Sequence, residues 1–295
     1  MGESVTYRIE HETRYEYETT VSTSQHVACL RPRELPRQHV QEHFLAIDPE
    51  PSSLAERRDY FGNVVDHVTL LRPHEGLTVT SRSLVRLHSA STPDVDTSLP
   101  WETVRDGLKY QKGTPASEAS QFAFASPYIE SSPDVVAFAS RSFTAGRPLL
   151  AAAVDLMHRI YDDFTFDTAA TTMTTPITKV LEERRGVCQD FAHFQIACLR
   201  SLGLPARYVS GYLLTDPPPG HARLIGADAS HAWVSVHCPV HGWVDLDPTN
   251  DVLTDRRHIT VAWGRDYGDV SPLRGVILGG GRHVLKVGVS VVPIA

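Results

Sequence analysis

One segment of the sequence, residues 184–205, carries a cysteine in a position suited to nucleophilic chemistry. Cys188 begins a stretch that is apolar on most of its circumference, and Gly203 and Pro205 end it. This pattern predicts a buried helix with Cys188 in its first turn. Because the positive end of a helix favours the thiolate, which is the nucleophilic form of cysteine, Cys188 is the candidate nucleophile.

A base and a carboxylate follow on two segments that alternate like β-strands. Residues 228–236 place His231 on the face opposite the apolar side chains, and residues 242–249 carry Asp247. If the two strands form an antiparallel hairpin, one of two registers brings the imidazole and the carboxylate to the same face. His231 would lie opposite Asp247, or opposite Thr249 just beyond it. A slip of one residue would separate the two groups.

These side chains have the chemistry of a nucleophile, a general base and a group that orients the base. Cys188, His231 and Asp247 fit those roles in the logic that recurs on unrelated folds. Asp245 lies on the same face as Asp247, so the alternation alone leaves two carboxylates open. The backbone N–H groups at the start of the predicted helix are suited to stabilising an oxyanion.

The candidate residues lie within longer motifs. These are GVCQDFAH at 186–193, PARYVSGY at 205–212, DASHAW at 228–233, DPTN at 247–250 and GRDY at 264–267. The motifs resemble those of the bacterial transglutaminase-like superfamily. The segment before residue 90 is similar to the β-rich N-terminal domain that accompanies this core in many bacterial members, so the resemblance extends over most of the chain.

The resemblance implies a papain-like or transglutaminase-like α+β core whose Cys-His-Asp triad is Cys188, His231 and Asp247. Asp247 is favoured over Asp245 because it stands in the Asp-Pro-Thr context. No cofactor and no metal are implied, and the family's further side-chain oxyanion donor has no clear match in this sequence. The resemblance also implies a peptide or protein substrate, with an ATP-grasp-type peptide ligase as a functional partner.

The remaining sequence predicts a β-rich domain, a linker and the core. Residues 1–90 contain strand-like runs, most regular at 5–17, and predict an antiparallel β-sandwich. Residues 91–132 are rich in Ser, Thr, Pro and Gly with short apolar islands, and predict a linker partly packed on the core. Residues 133–295 form the predicted transglutaminase-like core. Its last strand, 283–294, has one apolar face and fits either domain.

Two tryptophans and one loop are candidates for contact with a substrate. Trp233 and Trp243 alternate with polar residues beside His231 and Asp247, and packing on the core is an equal alternative for both. The Pro- and Gly-bearing loop 216–226 precedes the His231 strand and is predicted to line the substrate entrance.

A metal site is not predicted, although histidines are frequent. His237, Cys238 and His241 lie close in sequence, yet His237 and Cys238 point to opposite faces of a strand and a fourth ligand is missing. His193 lies about 140° around the helix from Cys188. A structural, hydrogen-bonding role is therefore predicted for His193.

Composition restricts the partners and the compartment. The chain of 295 residues has a formal net charge of −7 and no long run of Lys or Arg, which argues against nucleic acid or a membrane as partner. No apolar run approaches the roughly 18 residues that span a bilayer, and the N-terminus lacks an apolar signal region. The four cysteines are too few and too scattered to staple this chain. We therefore predict a cytoplasmic location.

These observations predict a thiol-dependent enzyme that hydrolyses or transfers acyl groups from peptide or glutamine-type carboxamides. Water as acceptor would make the protein a protease or amidase, whereas an amine would make it a transglutaminase, and the sequence favours neither. The alternative from a different class is a non-catalytic protein-binding module that retains the transglutaminase-like fold.

Overall fold

The computed structural model describes residues 4–89, 91–109, 112, 117–215 and 230–294. The entrance loop predicted at 216–226 lies outside the described residues. No helix within these described ranges is long and apolar enough to cross a membrane.

The N-terminal part is an antiparallel sheet organised around its first strand. Its strands are β1 (Ser4–Ala28), β2 (Gln38–Asp48), β3 (Ser53–Arg58), β4 (Val64–Leu70) and β5 (His74–His88), in the order β2-β5-β1-β4-β3. The first part of β1 pairs with β5 and its last part pairs with β4. The register of the β1–β5 ladder shifts between Glu16 and Val21, where β1 changes from one partner to the other.

This change of partner lets one sheet form both walls of a small hydrophobic core. The core consists of Ala28, Leu30, Val68, Leu70, Leu77 and Val79. Alternation along β1 is as predicted, since Tyr7, Ile9 and Thr13 are all buried. The predicted antiparallel β architecture of the N-terminal part is confirmed, in the form of one curled sheet rather than two separate sheets.

The second part of the chain packs helices against a five-stranded antiparallel sheet of order β11-β10-β9-β8-β12. The helices are α1 (Trp101–Gly107), α2 (Pro133–Ser140), α3 (Leu149–Asp163), α4 (Ile177–Glu183), α5 (Cys188–Ser201) and α6 (Tyr267–Val270). The strands are β6 (Thr165–Phe166), β7 (Arg185–Gly186), β8 (Ala206–Leu213), β9 (Ser230–Cys238), β10 (Gly242–Asp247), β11 (Val252–Leu253) and β12 (His258–Gly264). β6 and β7 form a separate parallel pair. This arrangement confirms the predicted α+β core.

The chain then returns to the N-terminal sheet. β13 (Leu273–Gly279) and β14 (His283–Ile294) both pair antiparallel with β1, β14 along its first part and β13 along its last part. The sequence left open where the last strand docks, and the hydrogen bonds assign it to the N-terminal sheet. The predicted core range 133–295 therefore includes two strands that complete the other sheet.

The described part of the predicted linker is packed rather than free. It contains α1 and two short 3₁₀ turns, Val95–Thr97 and Glu118–Ala123. Val104, Phe122 and Ile129 are each at most 5% exposed, and Val104 and Ile129 belong to the main hydrophobic core.

Two side-chain amides of the N-terminal part form hydrogen bonds with backbone groups on the outer edge of β12. The Gln38 amide donates to the carbonyl of Thr260 at 2.7 Å and accepts from its N–H at 2.9 Å. Asn63 does the same with Trp263, at 2.9 and 3.0 Å. Because an open sheet edge leaves backbone groups without partners, these four hydrogen bonds dock the two parts of the chain in a defined register.

Candidate active site

Cys188 lies at the N-terminus of α5, as predicted. Asp190, in the first turn of the helix, holds the segment before it through hydrogen bonds. The Asp190 carboxylate accepts the N–H of Val187 at 2.8 Å and the hydroxyl of Thr171 at 2.6 Å. A Cβ at Gly186 would lie 2.7 Å from this carboxylate, so the turn needs glycine. Cys188 is partly exposed, whereas all residues from Asp190 to Arg200 are buried.

The imidazole of His231 connects the other two predicted residues. Its Nε2 atom lies 2.7 Å from Oδ2 of Asp247, and the side chain of Cys188 is near enough to contribute to the raised pKa of the imidazole. Since Nε2 is engaged by the carboxylate, Nδ1 is the nitrogen left for the thiol. His231 is 9% exposed and Asp247 is fully buried. The structure therefore brings the three predicted residues together in one cluster, in which their catalytic roles are still predictions.

The register of the hairpin corresponds to one of the two predicted alternatives. Leu246 pairs with Val234 and Asp245 with Ser235. Continued by three residues beyond Leu246 and Val234, this register would set Thr249 opposite His231, and Asp247 would lie diagonal to the imidazole. Direct pairing of His231 with Asp247, the other predicted register, does not occur.

Asp247 accepts more hydrogen bonds than the sequence indicates. Its Oδ2 atom also lies 3.1 Å from Nε2 of His258 and 2.7 Å from Nδ2 of Asn250. Its Oδ1 atom accepts the backbone N–H groups of Thr249 and Asn250 at 2.9 and 3.3 Å. An aspartate that accepts from the two following backbone groups forms an Asx-type turn, which gives the Asp-Pro-Thr-Asn motif a structural reason.

His258 is the member of this cluster that sequence analysis missed. It lies on β12, eleven residues after Asp247, and is 1% exposed. Its Nδ1 atom lies 3.2 Å from both the N–H and the Oδ1 atom of Asp255. Only the pairing of β12 with β8, at the far side of the sheet from β10, brings this imidazole to the carboxylate. No signal in the local sequence reveals that.

The charged forms of His231 and Asp247 stabilise each other. Burial disfavours the charged imidazole of His231, but the hydrogen bonds with Asp247 and Cys188 outweigh it and raise its pKa from 6.5 to about 10. Burial would raise the pKa of Asp247, yet the hydrogen bonds from His231 and His258 hold it far below its ordinary value. The arrangement therefore favours an imidazolium beside an ionised carboxylate.

Asp245, the second predicted carboxylate, has other partners. Its Oδ2 atom lies 3.5 Å from a guanidinium nitrogen of Arg37 and accepts the indole N–H of Trp233 at 3.3 Å. It therefore braces the neighbouring tryptophan and the N-terminal part. The preference for Asp247 over Asp245 agrees with this geometry.

The two tryptophans predicted to contact substrate differ from each other. Trp233 is fully buried, and its ring packs so closely on Gly211 that a Cβ atom added to this glycine would lie 2.4 Å from the ring. Trp233 thus packs inside the protein, which differs from the predicted substrate contact, and Gly211 provides the space that the indole ring occupies. Trp243 is half-buried and lines two cavities, so it is accessible to a ligand.

Other predicted polar residues have structural roles. His193 is 5% exposed and its Nε2 accepts the N–H of Tyr267 at 3.1 Å, while burial lowers its pKa to about 3, as a hydrogen-bonding role requires. All four cysteines are free, and Cys29, Cys198 and Cys238 are buried. Burial raises the pKa values of Cys29 and Cys198.

Within the part of the chain that the structure describes, one cluster has ligand atoms close enough for a metal ion. It is His231, Asp247 and His258, whose ligand atoms all lie within 4.8 Å of one another. The same atoms form the hydrogen bonds described above. His237 and Cys238, in contrast, face opposite sides of β9, since His237 contacts the ring of Trp243 and Cys238 belongs to the main core.

The fold and this cluster agree with the matches of the chain to known families. Residues 7–86 match the bacterial transglutaminase-like N-terminal region, and residues 137–248 match the core of the transglutaminase-like superfamily. The chain belongs to this superfamily. An uncharacterized protein of Mycobacterium tuberculosis is 45% identical over 97% of this chain and 92% of its own length.

Two further relatives indicate the range of the superfamily. A protein-glutamine gamma-glutamyltransferase of Pseudomonas aeruginosa is 35% identical over 96 residues, which are 32% of this chain and 12% of that protein. The fold is similar to the crystal structure of a candidate cysteine protease from Cytophaga hutchinsonii, with a TM-score of 0.75 and 18% identity over 99% of this chain and 92% of that one. The superfamily therefore supports a thiol enzyme in general terms.

Proposed function

We propose that this protein is a thiol-dependent enzyme that cleaves or exchanges amide bonds through an acyl-enzyme. One observation carries the proposal: the imidazole of His231 hydrogen bonds Asp247 and interacts with Cys188 in a single cluster. Membership in the transglutaminase-like superfamily supports the same class of chemistry. The name of the Pseudomonas relative describes transfer from protein glutamine, which favours carboxamides among the candidate substrates.

The first half-reaction uses the polarity of the α5 terminus. The Cys188 thiolate, held beside the charged His231, attacks the carbonyl carbon of the amide and forms a tetrahedral oxyanion. Backbone N–H groups in the first turn of α5 have no partner within the helix and are suited to stabilising that oxyanion. His231 then gives its Nδ1 proton to the departing nitrogen, so an amine or ammonia leaves and a thioester remains.

The second half-reaction returns the enzyme to its starting state. His231, now neutral, removes a proton from water or from an acceptor amine as that molecule attacks the thioester carbonyl. The carbon–sulfur bond breaks, Cys188 leaves as the thiolate, and a carboxylic acid or a new amide is released. Asp247 keeps the Nε2–H tautomer throughout, and His258 fixes the carboxylate in turn.

The acyl-enzyme is the species that tests this function. We expect the chain, incubated with N-acetyl-Gln-Gly amide, to gain the mass of the acyl group on Cys188, and added hydroxylamine to convert that acyl group to a hydroxamate. Intact-protein mass spectrometry with peptide mapping measures both. The variant Cys29→Ala, which removes a buried thiol elsewhere, should behave like the unaltered chain.

A set of glutaminyl peptides, peptide amides and unmodified peptides extends the test to other amide substrates. Product analysis with and without the amine separates hydrolysis from transfer. Absence of any acyl-enzyme, hydrolysis product or hydroxamate across that set, with a folded protein, would contradict the proposed function.

A further inference from the structure

A groove on the core sheet combines aromatic walls with arginine side chains. Two cavities of about 630 and 540 Å³ lie side by side and share three lining residues, Arg207, Trp243 and Trp263. These residues come from β8, β10 and β12, so rigid strands rather than loops position them. Cavities of this size accommodate several non-hydrogen groups of a ligand on each side of Arg207.

Arg207 is the unusual residue of this groove. Its guanidinium carbon lies 4.2 Å from the ring centre of Trp243 and 3.7 Å from that of Trp263. The residue is only 8% exposed, and its buried Nε atom has no hydrogen-bond partner among the described residues. Buried arginines are normally paired with a carboxylate, because an uncompensated buried charge is costly. Asp245 acts on the charge of Arg207 through space, but no direct ion pair with Arg207 is formed within the described part of the chain.

Two further polar atoms on the same face of the sheet also have no hydrogen-bond partner in the part of the chain that the structure describes. Ser235 pairs with Arg207 across β8 and β9, and its buried hydroxyl has none. His237 lies two residues further along β9, hence on the same face, and its Nδ1 atom has none either. Three unsatisfied polar groups therefore surround one place on the sheet, and such groups indicate a polar ligand when they cluster beside a cavity.

The charged residues that line the groove are two arginines and two carboxylates, namely Arg37, Arg207, Asp245 and Glu118. Arg37 contacts Asp245 at 3.5 Å, and the guanidinium of Arg33 lies 3.5 Å from the ring centre of Trp263. Arg37 and Arg207 therefore both lie under the influence of Asp245, and Glu118 lines the cavity on the other side of Arg207. Burial lowers the pKa of Arg207 to about 10, so its guanidinium stays charged at neutral pH.

Arg207 lies on the same face of the core sheet as His231. Gly211 on β8 pairs with His231, and Arg207 lies four residues before Gly211 on the same strand and the same face. Four residues of an extended strand span roughly 13 Å. The fully buried Trp233 pairs with Val209 between these two positions, so the groove is a separate place on the sheet from the triad cluster.

We propose that Arg207 is the carboxylate-binding residue of a subsite for an acidic peptide segment. The planar guanidinium matches a carboxylate in two hydrogen bonds, and the two indole rings hold it in place while they contact the aliphatic part of a glutamyl side chain. The presence of a cavity on each side of Arg207 favours a peptide over a small acid. The role of the subsite in selecting a substrate rests on the proposed function, but the binding itself does not.

Binding can therefore be measured on a chain that cannot turn over. The Cys188→Ala variant is titrated by calorimetry with N-acetyl-Glu-Glu-Glu amide, with the matching triglutamine and trilysine peptides, and with glutarate. We expect the triglutamate peptide to bind at least about 10-fold more tightly than either triglutamine or glutarate. Triglutamine lacks the side-chain carboxylate that would pair with Arg207, and glutarate lacks the peptide that would contact the rest of the groove. Raising the salt concentration should weaken the binding of the triglutamate peptide.

Variants at Arg207 identify the residue. Arg207→Gln in the Cys188→Ala background should lower affinity for triglutamate about 10-fold or more, whereas Arg82→Gln, which removes one exposed arginine of β5, should not. If Arg207→Gln does not fold, Arg207→Lys keeps the charge without the fork and should lower affinity several-fold. Equal affinities for triglutamate and triglutamine, for triglutamate and glutarate, or for the Arg207 and Arg82 variants would overturn the proposal. An acyl-enzyme that forms without triglutamate binding would overturn this subsite and leave the proposed function standing.

Discussion

Replacing His231 with alanine is expected to lower kcat for amide turnover by about 1,000-fold or more. The reason is that one imidazole performs three tasks: it interacts with the Cys188 side chain, supplies the proton for the leaving amine, and deprotonates the acceptor. Steady-state kinetics with the substrate identified from the peptide set measures the effect. The control is His39→Ala, because His39 is an exposed histidine of β2 that pairs with Glu34.

Residues that act as one unit give non-additive losses. Cys188→Ala and the double variant Cys188→Ala with His231→Ala should therefore show the same residual rate, close to the uncatalysed one. Losses that multiply in the double variant would mean that the two side chains act independently, which contradicts a shared nucleophile–base pair.

Replacing Asp247 with asparagine is expected to have the largest effect on stability. The buried carboxylate accepts from two imidazoles, from the Asn250 amide and from two backbone N–H groups, so losing its charge leaves buried donors poorly paired. We expect the free energy of unfolding to fall by about 3–5 kcal/mol, measured by urea denaturation. Asp155→Asn removes one carboxylate of a partly exposed pair with Arg147 and should cost less than about 1 kcal/mol.

The same comparison has a defined pH dependence. Because the pKa of Asp247 is depressed in the folded protein, its contribution is complete above the unfolded value of about 4 and is lost as the pH falls through the depressed value. Because the pKa of His231 is raised, its contribution is complete below about 6.5 and is lost as the pH rises through about 10. The stability difference between the unaltered chain and Asp247→Asn should be greatest between about pH 4 and 6.5. A difference that grows steadily from pH 6.5 to 10 would contradict this assignment.

The parts of the site that could be predicted from sequence depend on local patterns. The apolar run that follows Cys188, ended by Gly203, predicts α5. Alternation of polar and apolar residues on both sides of a short turn predicts the β9–β10 hairpin that carries His231 and Asp247. Each of these signals is complete within about ten to twenty residues. Side chains on such elements meet whenever the hairpin register is right, which is why one of the two predicted registers agreed with the structure.

The features that were missed depend on contacts between distant parts of the chain. His258 reaches Asp247 because β12 pairs with β8, and β13 joins β1 across about 250 residues of sequence. Alternation places Trp233 on the polar face and left substrate contact and core packing equally open, and the structure shows core packing, because its ring packs on Gly211. Arg207 gave no local signal at all, since the rings on either side of it come from β10 and β12.

The reactivity of Cys188 as a function of pH tests the central claim most directly. The rate of carbamidomethylation by iodoacetamide is followed from pH 5 to 9, with peptide mapping to separate Cys188 from Cys29, Cys198 and Cys238. If His231 activates the thiol, Cys188 should react at pH 6 at least about tenfold faster in the unaltered chain than in His231→Ala. Equal rates in the two chains at that pH, or a Cys188 that is inert while the chain is folded, would contradict the proposed nucleophile–base pair.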